Sequence, residues 1–298
     1  MRVVTHTDFD GICCAALFIR KFGSDIEIIY ASVDEAKELN FSNIQVDYTC
    51  DLPKIGTSIN LDHHQSNYDN LINAKLISEE DWVDPQESSA TDIVFKYLKL
   101  DNDVISTEIR KLGHLADIAE LPEEYKPLDI VLNMNNDNKT ILREMSDLLS
   151  NLGRMILSTE WLKNKHEEVL TTFNRTKEEI NKFLENNFEF PRILLLDTRL
   201  KIPGKLAKEI IKPIFERNVA VLGIIYVKGS KINIRLSFRV RKDQQEYYDV
   251  SQIAKSFGGG GHKMAAACTP QPIDIPDNIL NALKNIARAN ESVGFIQV

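Results

Sequence analysis

In the N-terminal part of the chain, short apolar runs alternate with segments of helical spacing. Met1 to Thr5, Ile26 to Ala31, Val46 to Cys50 and Ser58 to Leu61 read as buried strands, and Gly11 to Phe22, Ser88 to Leu98 and Ile105 to Leu115 as helices. Strand–helix alternation predicts a parallel sheet, which places its site beyond the C-terminal ends of the strands. Between Pro127 and Pro191 there is no proline and a single glycine, Gly153, while Ile141, Leu142, Met145, Leu148, Leu149, Leu152, Met155 and Ile156 recur at the spacing of one helical face. After Pro191 the pattern returns to strands, at Ile193 to Leu196, Val219 to Val227 and Ile232 to Phe238, with helices at Gly204 to Phe215 and Val250 to Ser256. The predicted class is α/β: an N-terminal parallel-sheet domain over 1–135, a helical connector over 136–188 and a smaller α/β C-terminal domain over 189–298. A chain of 298 residues has room for two cores.

Composition narrows the class. The hydrophobic fraction of 43% and charged fraction of 27% are those of a soluble globular protein. Early carboxylates exclude a signal-peptide pattern at the start, and no apolar run nears the ~20 residues of a membrane span. Cys13, Cys14, Cys50 and Cys268 lie scattered in apolar surroundings and read as reduced core thiols, so a cytoplasmic location and no membrane partner are expected. A net charge of −8 argues against coating of long DNA. Between Arg199 and Lys242, however, a run of lysines and arginines is opposed only by Glu209 and Glu216, which predicts a basic C-terminal surface.

Three polar clusters follow strands. His6-Thr7-Asp8-Phe9-Asp10-Gly11 carries three metal-capable side chains, and alternation in an extended loop would send His6, Asp8 and Asp10 to one side while Gly11 lets the chain turn into the helix. Asp10 could equally cap that helix. Asp62-His63-His64 would let one imidazole bind a metal and the other meet substrate, although such a triplet is also an ordinary surface loop. Asp51 ends another apolar strand, with Asp47 close enough to compete; Pro53 and the strand-end position favour Asp51.

Together these fragments resemble the DHH phosphoesterase superfamily. His6, Asp8, Asp10 and Gly11 match its first motif, Asp51 its second, Asp62-His63-His64 its third, and Gly113-His114-Leu115-Ala116-Asp117 its fourth. Gly258-Gly259-Gly260-Gly261-His262, followed by Ala265 to Ala267, is similar to the signature of the DHH-associated C-terminal domain of RecJ-type exonucleases and nanoRNases. His6 precedes the first aspartate by two residues rather than the four of several branches.

The resemblance implies a DHH catalytic domain, a DHH-associated substrate-binding domain and an active site in the cleft between them. It implies two divalent cations, Mn²⁺ preferred and Mg²⁺ allowed, one held by His6, Asp8 and Asp51 and the other by Asp10, Asp51, His63 and Asp117, with Asp51 bridging. His64 would neutralise phosphate and Asp62 would support it. Arg239, the glycines Gly258, Gly259, Gly260 and Gly261, and His262 would bind substrate, the glycine amides converging on an anion. His114 and His166 read as structural or exposed, and Arg235 and Arg241 as ordinary strand charge.

The expected activity is a metal-dependent exonuclease acting on short RNA or single-stranded DNA. The alternatives are a small-molecule enzyme for adenosine bisphosphate, a cyclic dinucleotide or polyphosphate, and a silent nucleic-acid-binding scaffold. The partner is a short single-stranded nucleic acid or a nucleotide, and a homodimer is compatible with the chain.

Overall fold

The computed structural model describes residues 1–42, 44–186, 190–198, 207–228, 233–270 and 276–297. Two compact units divide it, Met1–Glu167 and Glu168–Val298. The first holds β1 (Arg2–His6), α1 (Phe9–Phe22), β2 (Glu27–Ala31), α2 (Val33–Asn40), β3 (Tyr48–Cys50), β4 (Ile59–Asp62), α3 (Gln65–Ala74), β5 (Trp82–Val83), α4 (Ala90–Tyr97), α5 (Val104–Asp117), α6 (Lys126–Asn135) and α7 (Lys139–Leu152). The unit boundary falls within α8 (Glu160–Asn186). The second continues through β6 (Ile193–Asp197), α9 (Ala207–Glu216), β7 (Val221–Lys228), β8 (Asn233–Val240), α10 (Val250–Ser256), β9 (Gly260–His262), β10 (Ala265–Cys268), α11 (Asp277–Ile286) and β11 (Val293–Gln297). Among the described residues no helix is long and apolar enough to cross a membrane.

The five strands of the first unit run in the order β2-β1-β3-β4-β5, every neighbouring pair parallel. This order reverses between β1 and β3, and at such a reversal the flanking loops leave in opposite directions and open a crevice at the strands' C-terminal ends. Helix α1 supplies the centre of the unit. Phe9 through Ile19 are all buried, because α1 is apolar around its whole circumference and packs between β1 and the helices α4, α5 and α7. Helix α7, within the stretch read as a connector, lays Leu142, Met145 and Leu149 into that same core.

In the second unit a mixed sheet runs β11-β6-β7-β8-β10-β9, parallel across β11, β6 and β7 and antiparallel from β7 to β9. Its core joins Ile193, Leu195, Val221, Leu236 and Phe238 from the strands to Val250, Ile253, Ile279 and Leu283 from α10 and α11. Of the expected basic stretch, residues 199–206 and 229–232 lie outside the described residues, as do the start of the helix expected from Gly204 and the first residue of the strand expected from Ile232. All four cysteines are free and buried.

Gly11 has a different reason from the turn expected of it. It lies within α1, and a Cβ there would collide with the backbone carbonyl of His6, so the glycine lets the helix start pressed against the end of β1. Gly260, by contrast, opens onto free space. Gly11→Ala should therefore lower stability by about 1–3 kcal/mol through overpacking, while Gly260→Ala changes it by less than about 0.5 kcal/mol. Urea unfolding followed by circular dichroism measures both; equal midpoints would show that the contact at Gly11 is not tight.

Candidate metal centre

The C-terminal ends of β1, β3 and β4, the start of α1 and the last turn of α5 bring eight donor side chains together. His6, Asp8 and Asp51 offer one ligand atom each within 4.8 Å of one another; so do Asp10, His63 and Asp117, and so do Asp51, Asp62, His63 and His64. Asp47 is elsewhere, accepting the backbone N–H of Arg2 at 2.6 Å, so the ambiguity with Asp51 resolves toward Asp51.

The residues of the first cluster do not all share one side. Asp8 is the N-cap of α1, accepting the N–H of Gly11 at 3.0 Å, and its half-exposed carboxylate meets His6 Nδ1 at 2.8 Å. Asp10 lies in the first turn of the helix, where strand-like alternation no longer applies, and it points inward with 2% exposure. Its carboxylate receives the backbone N–H groups of Ala90 at 2.7 Å and Thr91 at 2.9 Å, together with the Thr91 hydroxyl. These are amides of the first turn of α4, whose partial positive charge suits an anion. Gly113 of α5 lies so close to Thr91 that a Cβ would collide with its side chain, so α5, α4 and Asp10 are locked in sequence. Ser89, Thr91 and Asn67 are site residues that the motifs do not mark. The Ser-Ala-Thr-Asp start of α4, a helix N-terminus with a polar cap, is the signal that could have found the first two.

Asp62 is held rather than free. It accepts from His64 Nδ1 at 2.9 Å, Asn67 Nδ2 at 2.6 Å and the His63 N–H at 2.9 Å, which fixes the ring of His64 and leaves its Nε2 outward. That contact, opposed by burial, raises the His64 pKa above its ordinary value.

Asp51 and His63 form the unsatisfied centre. Among the described residues, three buried side-chain atoms lack a hydrogen-bond partner, and two of them are Asp51 Oδ2 and His63 Nε2. His63 Nε2 stands 3.7 Å from Asp51, 3.7 Å from Asp117 and 3.9 Å from Asp10, too far for hydrogen bonds and suitably spaced around a shared cation. His6 Nδ1 and His64 Nδ1 approach Asp51 at 3.4 and 3.6 Å. Asp51 also adopts φ +55°, a left-handed conformation that costs a non-glycine residue about 1 kcal/mol or more. Burial, and then the charges of Asp8, Asp10 and Asp62, push its carboxyl well above the ordinary range. Burial and Asp8 push Asp10 up to about 7, and burial raises Asp117. Carboxylates and imidazoles gathered at this density, with two buried atoms left without hydrogen-bond partners, fit divalent cations.

The remaining candidates lie in the second unit. Cα partners align His262 with Ala265 and Ala265 with Arg239, so His262 and Arg239 occupy one row across β9, β10 and β8. The glycine run differs from the expected amide cradle. The N–H groups of Gly258 and Gly259 donate to Lys255 and Ala254, closing the C-terminus of α10, and are not available to an anion. Gly258 at φ +71° and Gly261 at φ +136° need the freedom of glycine, and a Cβ on Gly259 would strike the Ala267 carbonyl.

Residues 195–289 match the DHHA1 domain. The chain is similar to a pGpG-specific phosphodiesterase, PggH, from Vibrio cholerae at 17% identity and a TM-score of 0.60, over 96% of this chain and 98% of that one. It is similar to exonuclease RecJ bound to manganese at 13% identity and 0.52, over 96% of this chain and 90% of that one. RecJ from Thermus thermophilus in complex with Mn²⁺ aligns at 13% identity and 0.47, over all of this chain and 53% of that longer one. At these identities the first two likenesses establish the fold. No curated protein sequence matches the chain.

The raised carboxyls set a pH dependence. A folded-state value near 7 for Asp10, against about 4 in an unfolded chain, means that the metal-free fold binds more protons between those values and loses stability as pH rises through them. Carboxyls held low, such as Asp103 beside Arg20, titrate below that window. Chelated protein should melt at falling temperature from about pH 4 to 7, and Mn²⁺ binding at pH 7 should release about one proton, read by calorimetry in buffers of different ionisation heat. Asp10→Asn should flatten the slope; an unchanged slope would clear Asp10 of the effect.

Proposed function

We propose that this chain, a DHHA1-domain protein with the fold of the DHH phosphoesterases, is a divalent-metal-dependent phosphoesterase that removes mononucleotides from short RNA or single-stranded DNA. The observation that carries this reading is that two buried atoms of the cluster, Asp51 Oδ2 and His63 Nε2, lack hydrogen-bond partners among Asp8, Asp10, Asp117 and His6. His6, Asp8 and Asp51 would hold one ion, and Asp10, Asp51, His63 and Asp117 the other. Bound divalent ions would lower the pKa of a water and neutralise charge on the phosphoryl oxygens. An oxygen-rich set with imidazoles suits Mn²⁺ or Mg²⁺.

The chain's own groups do the rest. The α4 amides aim the Asp10 carboxyl and offset part of the cost of ionising it, so it need not reorganise when an ion binds. Asp62 and Asn67 set the ring of His64, which offers its outer nitrogen to a non-bridging phosphoryl oxygen. In the second unit Arg239 supplies a planar fork for phosphate, and His262, in the same row, a contact for a terminal phosphate or a base. A second reading, a phosphodiesterase restricted to linear dinucleotides, is favoured by the end-to-end likeness to the pGpG-specific enzyme. Filled ligand positions weigh against the silent scaffold.

Labelled dinucleotide, a longer oligomer and adenosine bisphosphate, each incubated with Mn²⁺, Mg²⁺ or chelator, separate the readings. Successive mononucleotides from the oligomer are expected, and cleavage of the dinucleotide alone would select the second reading. Asp51→Ala should lose on the order of 10³-fold in rate, several kcal/mol of charge stabilisation. Activity that survives both chelator and Asp51→Ala would refute the proposal.

A further inference from the structure

Beside the ion cluster lies a second aspartate–histidine pair, which the two-ion chemistry leaves unused. Asp92, in the first turn of α4, is 2% exposed. Its carboxylate receives His114 Nδ1 at 2.7 Å, Arg110 Nε at 2.7 Å and the Ser89 hydroxyl at 2.9 Å. Burial alone would raise Asp92, and these hydrogen bonds more than offset it, holding the carboxyl below its ordinary range. An ionised Asp92 requires His114 to carry a proton on Nδ1, so Nε2 is the nitrogen left to act.

The placement of the pair follows from the two helices. His114 sits one turn before Asp117 on α5, a separation of about 5–6 Å between Cβ atoms, and Asp117 faces His63 Nε2 at 3.7 Å. On α4, the residues just before Asp92 are Ala90 and Thr91, which hold Asp10. One helical turn therefore anchors both a candidate ion ligand and this imidazole. The pair has the construction of Asp62–His64, with a buried carboxylate on Nδ1 and a partly exposed ring, 37% for His114 and 53% for His64. His64 abuts Asp51 at 3.6 Å, within the ion cluster, whereas His114 precedes the cluster residue Asp117 by one turn of α5.

Resting on the phosphoesterase reading above, we propose that His114, oriented by Asp92, is a catalytic residue that protonates the departing oxygen of the phosphate ester. As the oxygen of the attacking water bonds to phosphorus, the P–O bond to the departing nucleoside breaks and its electron pair stays on that oxygen, which takes the Nε2 proton. The proton shed by the water passes to solvent, and the imidazole regains one from solvent. The buried Asp92 carboxylate stabilises the ring while it carries both protons.

The test compares wild type, His114→Gln and Asp92→Asn on two diesters in Mn²⁺: a dinucleotide, whose sugar alkoxide departs poorly unless protonated, and the p-nitrophenyl ester of a nucleoside monophosphate, whose phenolate departs unaided. His114→Gln should lose about 10²–10³-fold in kcat on the dinucleotide and little on the nitrophenyl ester. Asp92→Asn should lose about 10–100-fold on the dinucleotide only. Mn²⁺ binding by calorimetry should match wild type in both. Equal losses on the two esters, or no loss on the dinucleotide, would make His114 a strut between α4 and α5 and overturn the proposal. Should His114→Gln fail to fold, Asp92→Asn decides, since it keeps the ring and removes its hold. Wild-type protein that cleaves neither ester would overturn the phosphoesterase reading itself, and this inference with it.

Discussion

Four carboxyl groups, those of Asp8, Asp10, Asp51 and Asp117, converge on one edge of a parallel sheet together with His6 and His63, and like charges packed this closely repel unless cations stand between them. Burial sharpens the conflict. Asp10 and Asp51 are 2% and 3% exposed, so water screens little of the repulsion and their carboxyls titrate high. Much of the first unit can be understood as the framework that keeps these groups together despite that cost.

Three devices do this. The reversal of strand order between β1 and β3 opens the crevice and delivers His6 and Asp51 to its two sides. The buried α1, started against β1 by Gly11, fixes Asp8 at its N-cap and Asp10 on its first turn. The N-terminus of α4 then meets Asp10 with two amides and a hydroxyl, a compensation that leaves the carboxylate immobile but still charged enough to bind an ion. Asp51 Oδ2 has no hydrogen-bond partner among the described residues and Asp51 carries an unfavourable φ as well, so the strain in the site is concentrated at a residue that two of the three donor groups share.

Much of this was legible in the chain. Apolar runs ending in Asp51 and Asp62 located the strand ends, because a parallel sheet buries both faces and reads as continuous hydrophobic segments. The Asp62-His63-His64 triplet stood out by residue type, and Asp117 only through the resemblance of Gly113 to Asp117 to a family motif. What escaped was whatever depended on contacts far apart in sequence. Thr91 holds Asp10 across 81 positions, and its place in the first turn of α4 marks a helix start without saying which side chain it receives. Asp8 and Asp10 were expected on one side because the start of α1 was placed at Gly11; the helix in fact begins at Phe9, and the geometry changes from alternating to helical between them. Helices α2 and α3 were missed because they are short and mostly polar, α3 burying only Asn67 and Leu71. The glycine run suggested an anion cradle, but two of its amides terminate α10, a use that requires knowing where the helix ends.

The central claim is that this edge of the sheet is built for two cations. Anomalous diffraction from a crystal grown with Mn²⁺ tests it most directly. The account predicts two peaks about 3.5–4 Å apart, one among His6, Asp8 and Asp51 and the other among Asp10, His63 and Asp117, with Asp51 touching both. No peak at these residues in a crystal that binds Mn²⁺ elsewhere, or these side chains directed away from one another, would contradict it.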